Sequence, residues 1–448
     1  MGRVDHGKTT LLDTIRKTDL AARAAPDGSE PRSIAEREAG GITQSIGAYE
    51  IEHETPNSKI STRITFIDTP GHEAFSKMRA HGAKVADLAI LVVAADDGVK
   101  PQTQDALKYI RQEKIPFIVA INKIDKNNAD IEMVKSDLAK NEVFLEGYGG
   151  NTSWHAISAK TGEGVNELLD LIILAGDVEN LTYDPKEIAS GIILKSRLDS
   201  RRGILVSMVL KNGALSLGQS IETITSKGKI KLLEDFAARS QKSLEPSAPA
   251  LILGFENLPD TGEEFFASED QEKINQKIQI AKSAEQLPKA EIAVENDKTE
   301  NKINIILKAD EVGSLQGLKH ILKKLGDHIN LEIRENSLGN IYETDVKLAL
   351  STKSIIIGFK IKIDRAAQNL AEAHKVKIIQ SPIIYELEKE LEIYAKQISG
   401  EIKKIIEVLA IFGESKGKEQ IIGGKVKLGP VKNNSQFEIN DGKKNIGS

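Results

Sequence analysis

Gly2-Arg3-Val4-Asp5-His6-Gly7-Lys8-Thr9 opens the chain and matches the pattern G-x-x-x-x-G-K-[ST]. The spacing predicts a loop in which two glycines let backbone N–H groups converge on a polyphosphate. Lys8 then carries charge to the β and γ oxygens, and the Thr9 hydroxyl suits a Mg²⁺ ion. Arg3, Val4, Asp5 and His6 fill the loop, Thr10 follows it, and all are assigned to the nucleotide site. A glycine-containing turn ahead of a helix is the plain alternative for this stretch taken alone, so the segments downstream decide.

Three of them do. Asp68-Thr69-Pro70-Gly71 follows a strand-like run, where an aspartate can approach Mg²⁺ through water and the Gly71 N–H can reach the γ-phosphate. Asn122-Lys123-Ile124-Asp125 follows the apolar run Pro116 to Ile121. The Asp125 carboxylate can accept two hydrogen bonds from guanine N1–H and its exocyclic amine, a pair that adenine does not offer. Ser158-Ala159-Lys160 comes after the next strand, with the Ala159 N–H available to the guanine carbonyl and Lys160 over the base. All four segments stand in the order of a guanine-nucleotide-binding α/β fold, each at the C-terminal end of a strand.

Around them, residues 1–178 alternate β-branched runs with amphipathic stretches, which predicts a mainly parallel sheet covered by helices. Its strands are expected at Arg63 to Ile67, Asp87 to Ala94, Pro116 to Ile121 and Trp154 to Ile157, the last three in the sheet's interior. Residues 185–268 change to short alternating segments (Gly191 to Lys195, Gly203 to Leu210, Ile221 to Thr225) punctuated by Asn212-Gly213, Leu217-Gly218 and Lys227-Gly228, predicting an antiparallel β-barrel. Residues 269–300 are charged and read as a solvated helix and linker. A small α/β domain follows over 301–382, with strands at Ile303 to Lys308, Leu331 to Arg334 and Ile355 to Phe359 and helices at Ser314 to Leu325 and Arg365 to His374. Residues 383–404 predict a connecting helix, and 405–448 a barrel cut short.

Composition agrees with a multidomain globular protein: 448 residues exceed one ordinary core. The 61 Lys and Arg against 66 Asp and Glu give a net charge of −5, against a uniformly basic nucleic-acid binder, although a local basic patch stays open. Cysteine is absent, which removes disulfides, thiolate nucleophiles and thiolate-bound metals and fits a reducing cytoplasm. Neither a signal peptide nor a membrane span is read from the sequence, and nothing in it suggests an oligomer.

Arg37-Glu38-Ala39-Gly40-Gly41-Ile42-Thr43-Gln44 and Asp68-Thr69-Pro70-Gly71-His72-Glu73-Ala74-Phe75 resemble the two switch regions of the translational GTPases, with wording nearest to bacterial and organellar translation initiation factor two. The resemblance runs to about residue 405, more loosely through Lys308-Ala309-Asp310, Gly313-Ser314 and Ile355 to Phe359. It implies a P-loop GTPase domain, an elongation-factor-like barrel, a small α/β/α domain, a long helix and a terminal barrel holding the formyl-methionyl end of initiator tRNA. It further implies GTP or GDP and Mg²⁺ as ligands, and both ribosomal subunits, initiator tRNA and other initiation factors as partners. Thr9 and Thr43 would ligate Mg²⁺, His72 would orient the attacking water, and Val4 and Ile42 would form the apolar pair that keeps the histidine out until the ribosome admits it.

The pattern departs in places. Arg3 and Ser45 stand where the family usually has histidine. Only Met1 precedes the loop, so the strand that should carry it is missing, which predicts that Met1 is internal to a longer protein. The terminal barrel is about half the expected length, putting initiator-tRNA binding by this chain in doubt. Another translational GTPase, such as an elongation factor, and a non-hydrolysing ribosome-associated module that no longer holds nucleotide are the competing readings.

Overall fold

A computed structural model describes residues 1–22, 42–55, 61–236, 238–285, 303–326, 331–398, 405–412, 421–428, 439–441 and 444–447. Helix α1 (Lys8–Ala22) leaves the loop directly. Strands β3 (Ala89–Ala94), β4 (Phe117–Asn122) and β5 (Trp154–Ala156) run parallel in that order, covered by α2 (Ser76–Val85), α3 (Pro101–Gln112), α4 (Ile131–Lys140) and α5 (Val165–Val178). β3 and β4 are apolar on both faces and almost wholly buried, as strands between helix layers must be.

Two expectations change here. β2 (Ser61–Asp68) does not join the parallel sheet; it pairs antiparallel with β1 (Gly47–Glu54), from Gly47 opposite Asp68 to Glu54 opposite Ser61. Of the three strands placed in the sheet's interior only β4 has neighbours on both sides, and all three β5 residues are only half-buried. Between β2 and β3 lies a cavity of about 460 Å³ lined by Leu11, Phe66, Ile90 and Ile172 among others. Met1 holds one rung at its edge, accepting from Val92 N at 2.9 Å and donating its amine to Ile90 O.

The barrel closes through six antiparallel strands: β6 (Ala189–Asp199), β7 (Gly203–Asn212), β9 (Ser220–Glu222), β10 (Lys227–Asp235), β12 (Pro249–Phe255) and β13 (Glu264–Ser268). A short ribbon of β8 (Leu215–Ser216) and β11 (Ser243–Leu244) lies beside it. The stretch Thr223 to Thr225, read as strand, is instead a turn closed by Thr223 N on Ser226 O at 2.7 Å. Gly213 takes φ +72°, and a Cβ there would lie 2.7 Å from the Ala189 backbone, so this turn admits only glycine. The charged segment after the barrel is no free linker over its first half. Helix α6 (Gln271–Glu285) docks Ile274 and Ile278, one turn apart, on Phe266; residues 286–302 lie outside the described residues.

The third domain is a parallel sheet in the order β15 (Leu331–Leu338), β14 (Ile303–Ala309), β16 (Ser354–Phe359), β17 (Ile378–Ser381). Its helices are α7 (Val312–Gly326), α8 (Glu343–Thr352) and α9 (Arg365–His374). Next comes α10 (Ile384–Ile398), which buries Ile384, Leu387 and Leu391 and so packs rather than bridges solvent. The end of the expected connecting helix, 399–404, lies outside the described residues. Where a partial barrel was expected, the described residues form two separate antiparallel pairs, β18 (Ile405–Phe412) with β19 (Ile421–Leu428) and β20 (Ile439–Asp441) with β21 (Lys444–Gly447).

One apolar core joins the first three domains. It gathers Ile46, Phe75 and Met78 of the first, Ile192 and Val209 of the barrel, and Leu307, Leu318, Phe359 and Leu387 of the third domain and its following helix. Gly313 and Gly317 make the approach possible: a Cβ on Gly313 would lie 2.4 Å from Met78 Cε, and one on Gly317 2.8 Å from the Phe75 ring. Phe75→Ala should therefore lower stability by about 3–5 kcal/mol, read by denaturant unfolding at Trp154, the only tryptophan. A change below about 1 kcal/mol would show that the junction does not rely on this ring.

Candidate functional site

Asn122 ends β4 and its side chain reaches two loops at once. Its Nδ2 donates to His6 O at 2.8 Å, and its Oδ1 accepts from Ala159 N at 2.9 Å. Gly7, at φ +86°, leaves the room: a Cβ there would stand 2.3 Å from Asn122 Nδ2. Ser158 Oγ donates to Asp125 Oδ1 at 2.8 Å and accepts from Thr161 N at 3.2 Å, which aims the carboxylate. Lys123 sits at φ +67°, Ile124 N bonds Ile157 O at 3.3 Å, and Thr14 Oγ1 ties the Ala159 carbonyl to α1 at 2.5 Å. The structure thus brings 2–7, 122–125 and 158–160 to one edge of the sheet, with Asp125 and Lys160 exposed above buried Ser158 and Ala159.

At the other end of the site, Thr9 Oγ1 lies 2.8 Å from Thr43 Oγ1, which donates to Asp68 Oδ2 at 2.9 Å. Three oxygens from the loop, the first switch and the end of β2 therefore converge, the donor set a hard cation takes. Lys8 Nζ folds onto the carbonyls of Gly2 and Arg3, both at 2.7 Å. Burial draws the Lys8 ammonium down to about 8 against the pull of Asp68, and pushes Asp68 up against Lys8 and Thr43. Gly71 passes so close that a Cβ would meet Val4 N at 2.8 Å and Lys8 Nζ at 3.0 Å. Thr69 and Pro70 are buried beneath it, Thr10 is exposed, and Ile42 is half-buried. Arg37 to Gly41 lie outside the described residues.

Several residues here carry no motif. Asp97, just beyond β3, pairs with Arg3, lies 3.2 Å from His6 Nε2 and 3.0 Å from Lys100 Nζ. Burial pushes its carboxyl up, but hydrogen bonds from Lys100 and His6 and the charge of Arg3 hold it at about 2. Burial lowers His6 itself. Arg3 thus anchors the loop to the strand beside it. Val4 N donates to Gln102 Oε1 at 3.0 Å, and Ser45 accepts from Lys195 Nζ of the barrel at 3.2 Å.

His72 is buried, not open to the loop. Its Nδ1 accepts from Ala74 N at 3.0 Å, its Nε2 faces Glu388 Oε2 at 3.4 Å, and the Tyr385 ring meets it edge-on with centroids 4.1 Å apart. Arg79, wholly buried, donates to the His72 carbonyl at 2.6 Å and fixes the turn. Gln44 is gripped from the same side, donating to Pro382 O at 3.2 Å and accepting from Ile384 N at 2.9 Å.

Comparison with known proteins matches this architecture piece by piece. Residues 1–175 match the elongation factor Tu GTP binding domain, 188–268 elongation factor G domain 2, and 269–392 translation-initiation factor 2. Translation initiation factor IF-2 of Dehalococcoides mccartyi is 37% identical over 453 residues, 98% of this chain and 72% of that protein. The chain belongs to the translation-initiation factor 2 family. The factor from Persephonella marina is 40% identical over 98% of this chain, and the chloroplastic one of Rhodomonas salina 39% identical over the same share. The chain spans about half the length of the Persephonella protein, 49%, and 58% of the Rhodomonas one. Among solved structures, GDP-bound aIF5B from Aeropyrum pernix superposes with a TM-score of 0.51 at 25% identity, covering 95% of this chain and 80% of that one. The initiation-factor match over 269–392, which an elongation factor would lack, decides against the competing elongation-factor reading.

Among the described residues no helix is long and apolar enough to cross a membrane. The depressed Asp97 carboxyl gives a pH test. Its folded pKa, about 2, lies below the ordinary value near 4, so its stabilisation is present above about 4 and lost as pH falls toward about 2. Between those limits the thermal midpoint of the wild type should fall more steeply than that of Asp97→Asn; parallel curves would remove Asp97 from the loop's anchorage.

Proposed function

We propose that this initiation-factor GTPase binds GTP or GDP at the edge built by Gly2 to Thr10, Asp68 to Gly71, Asn122 to Asp125 and Ser158 to Lys160, and hydrolyses GTP on the ribosome. The observation that carries the reading is the Asn122 bridge, which sets a guanine-reading carboxylate, a phosphate loop and an N–H donor in one frame. Guanine is favoured over adenine because Asp125 finds two donors on it, and an adenine would leave that carboxylate unmatched.

The residues present fit Mg²⁺: Thr9 and Thr43 would hold it, with Asp68 behind Thr43. When bound, the ion neutralises charge developing on the phosphates. Loop N–H groups and Lys8 hold the phosphates, Gly71 admits the γ-phosphate beside Val4, and His72 orients the water once it reaches the phosphate side. Little covalent chemistry is asked of the protein, so positioning and charge supply most of the rate.

On this reading the chain works in the cytoplasm as a monomer with both ribosomal subunits and other initiation factors. It helps initiator formyl-methionyl-tRNA onto the small subunit and promotes subunit joining, GTP hydrolysis then releasing it. Support for these roles is the family membership. Fluorescent GTP and ATP titrations, followed by ribosome-stimulated turnover of wild type and His72→Ala, test the site. Selective GTP binding by both proteins with turnover only in the wild type is expected; equal ATP binding, or full turnover in the variant, would refute it. A chain that holds no nucleotide in the titration would be the non-hydrolysing module.

A further inference from the structure

We propose that Glu388 and Tyr385 are positioning residues that hold His72 in a parked state, and that the segment Pro382 to Glu388 thereby restrains hydrolysis by this protein until a partner displaces it. The inference rests on the GTPase reading above and adds to it a restraint located in the C-terminal half of the chain.

Both ring nitrogens of His72 are committed. Nδ1 accepts the Ala74 N–H at 3.0 Å, which leaves the ring proton to Nε2, and Nε2 lies 3.4 Å from Glu388 Oε2. A ring in this state has neither a free acceptor nor a free donor for water. Tyr385 closes the remaining side, its ring edge-on to the imidazole at 4.1 Å. The His72 N–H, with help from Lys324 Nζ at 3.7 Å, keeps the Glu388 carboxyl below its ordinary range.

The hold extends beyond one residue. Two residues of the same segment grip Gln44, next to the magnesium candidate Thr43, through Pro382 O and Ile384 N. Gln102, near Tyr385, takes the Val4 N–H of the phosphate loop on its Oε1 at 3.0 Å. Gln44 and His72, from two separate segments of the first domain, therefore both touch the start of α10. That start is stiff: Ser381 Oγ accepts from Ile383 N at 3.0 Å and donates to Glu386 at 2.8 Å, while Ile384, Leu387 and Leu391 anchor it in the shared core. A carboxylate set opposite Nε2 gives directional hold that simple burial of the ring would not require. Any contact that pulls α10 away frees His72 and Gln44 together.

The test compares ribosome-free GTP turnover and fluorescent-GTP affinity of the full chain. Glu388→Ala keeps a good helix former and removes the acceptor; it should raise unstimulated kcat about tenfold, the usual size of such a coupling, with affinity within about twofold. Glu388→Gln retains a carbonyl for the Nε2 proton and should return most of the restraint. The double variant Glu388→Ala with His72→Ala should show no gain, because the effect passes through the imidazole. An unchanged or lower rate in Glu388→Ala with GTP affinity intact, or a gain that survives loss of His72, overturns the latch. If Glu388→Ala fails to fold, Tyr385→Leu, which loosens the ring without touching the carboxylate, must show a gain or the proposal falls. Absence of GTP binding by the wild type overturns the functional reading and the latch with it.

Discussion

Both halves of the Asn122 amide are committed to other loops, and the proposed nucleotide site stands or falls with that arrangement. Strand β4 is the only member of the parallel sheet with neighbours on both sides, so its C-terminal residue is the best fixed point in the domain. From there Nδ2 holds the phosphate loop at His6 O and Oδ1 holds the base loop at Ala159 N. Removing the side chain leaves two backbone groups without partners, at about 1–3 kcal/mol for each one that stays buried. Beside the loop, β1 and β2 pair with each other, and a cavity edged by Met1 separates β2 from β3. Arg3, His6 and Asp97 give a second anchorage on the β3 side.

The second constraint is the shared core. Phe75 follows His72 by three residues and stacks toward Phe359 of the third domain, centroids 6.3 Å apart. Chain that carries the candidate catalytic histidine is thus the chain that fastens one domain to another. Lys195 adds a polar tie, bonding Ser45 and pairing with Glu311 at 2.9 Å. Movement at the second switch must be felt in β16 and α7, because packed interiors do not deform continuously.

The candidate nucleotide loops are legible because each needs particular residues at fixed local spacing: glycines at 2, 7 and 71, an asparagine three ahead of an aspartate. The sequence reading of helix α9 matches its ends, since Asp364 caps it, accepting from Ala366 N at 3.1 Å, and Ala367 and Ala371 face inward. What escaped was decided at long range. Strand β1 shows the period-two pattern in Tyr49, Ile51 and His53, but nothing local says that it takes β2 from the parallel sheet. In α6 two isoleucines among charges are enough to dock a helix, and average composition hides them. Asp97, Gln102, Tyr385 and Glu388 belong to no motif; they reach the site only because distant segments fold against it. Glu388 lies over 300 positions from His72 in sequence, and a charged residue on an amphipathic helix reads as solvated until its neighbour is known.

The account rests on Asn122 as the fixed point of a guanine-nucleotide site, and calorimetric titration with GDP of the wild type and Asn122→Ala tests it most directly. Affinity should fall at least about tenfold, the equivalent of 1.4 kcal/mol, while circular dichroism shows barrel and third domain intact. Binding within about twofold of the wild type would contradict the account.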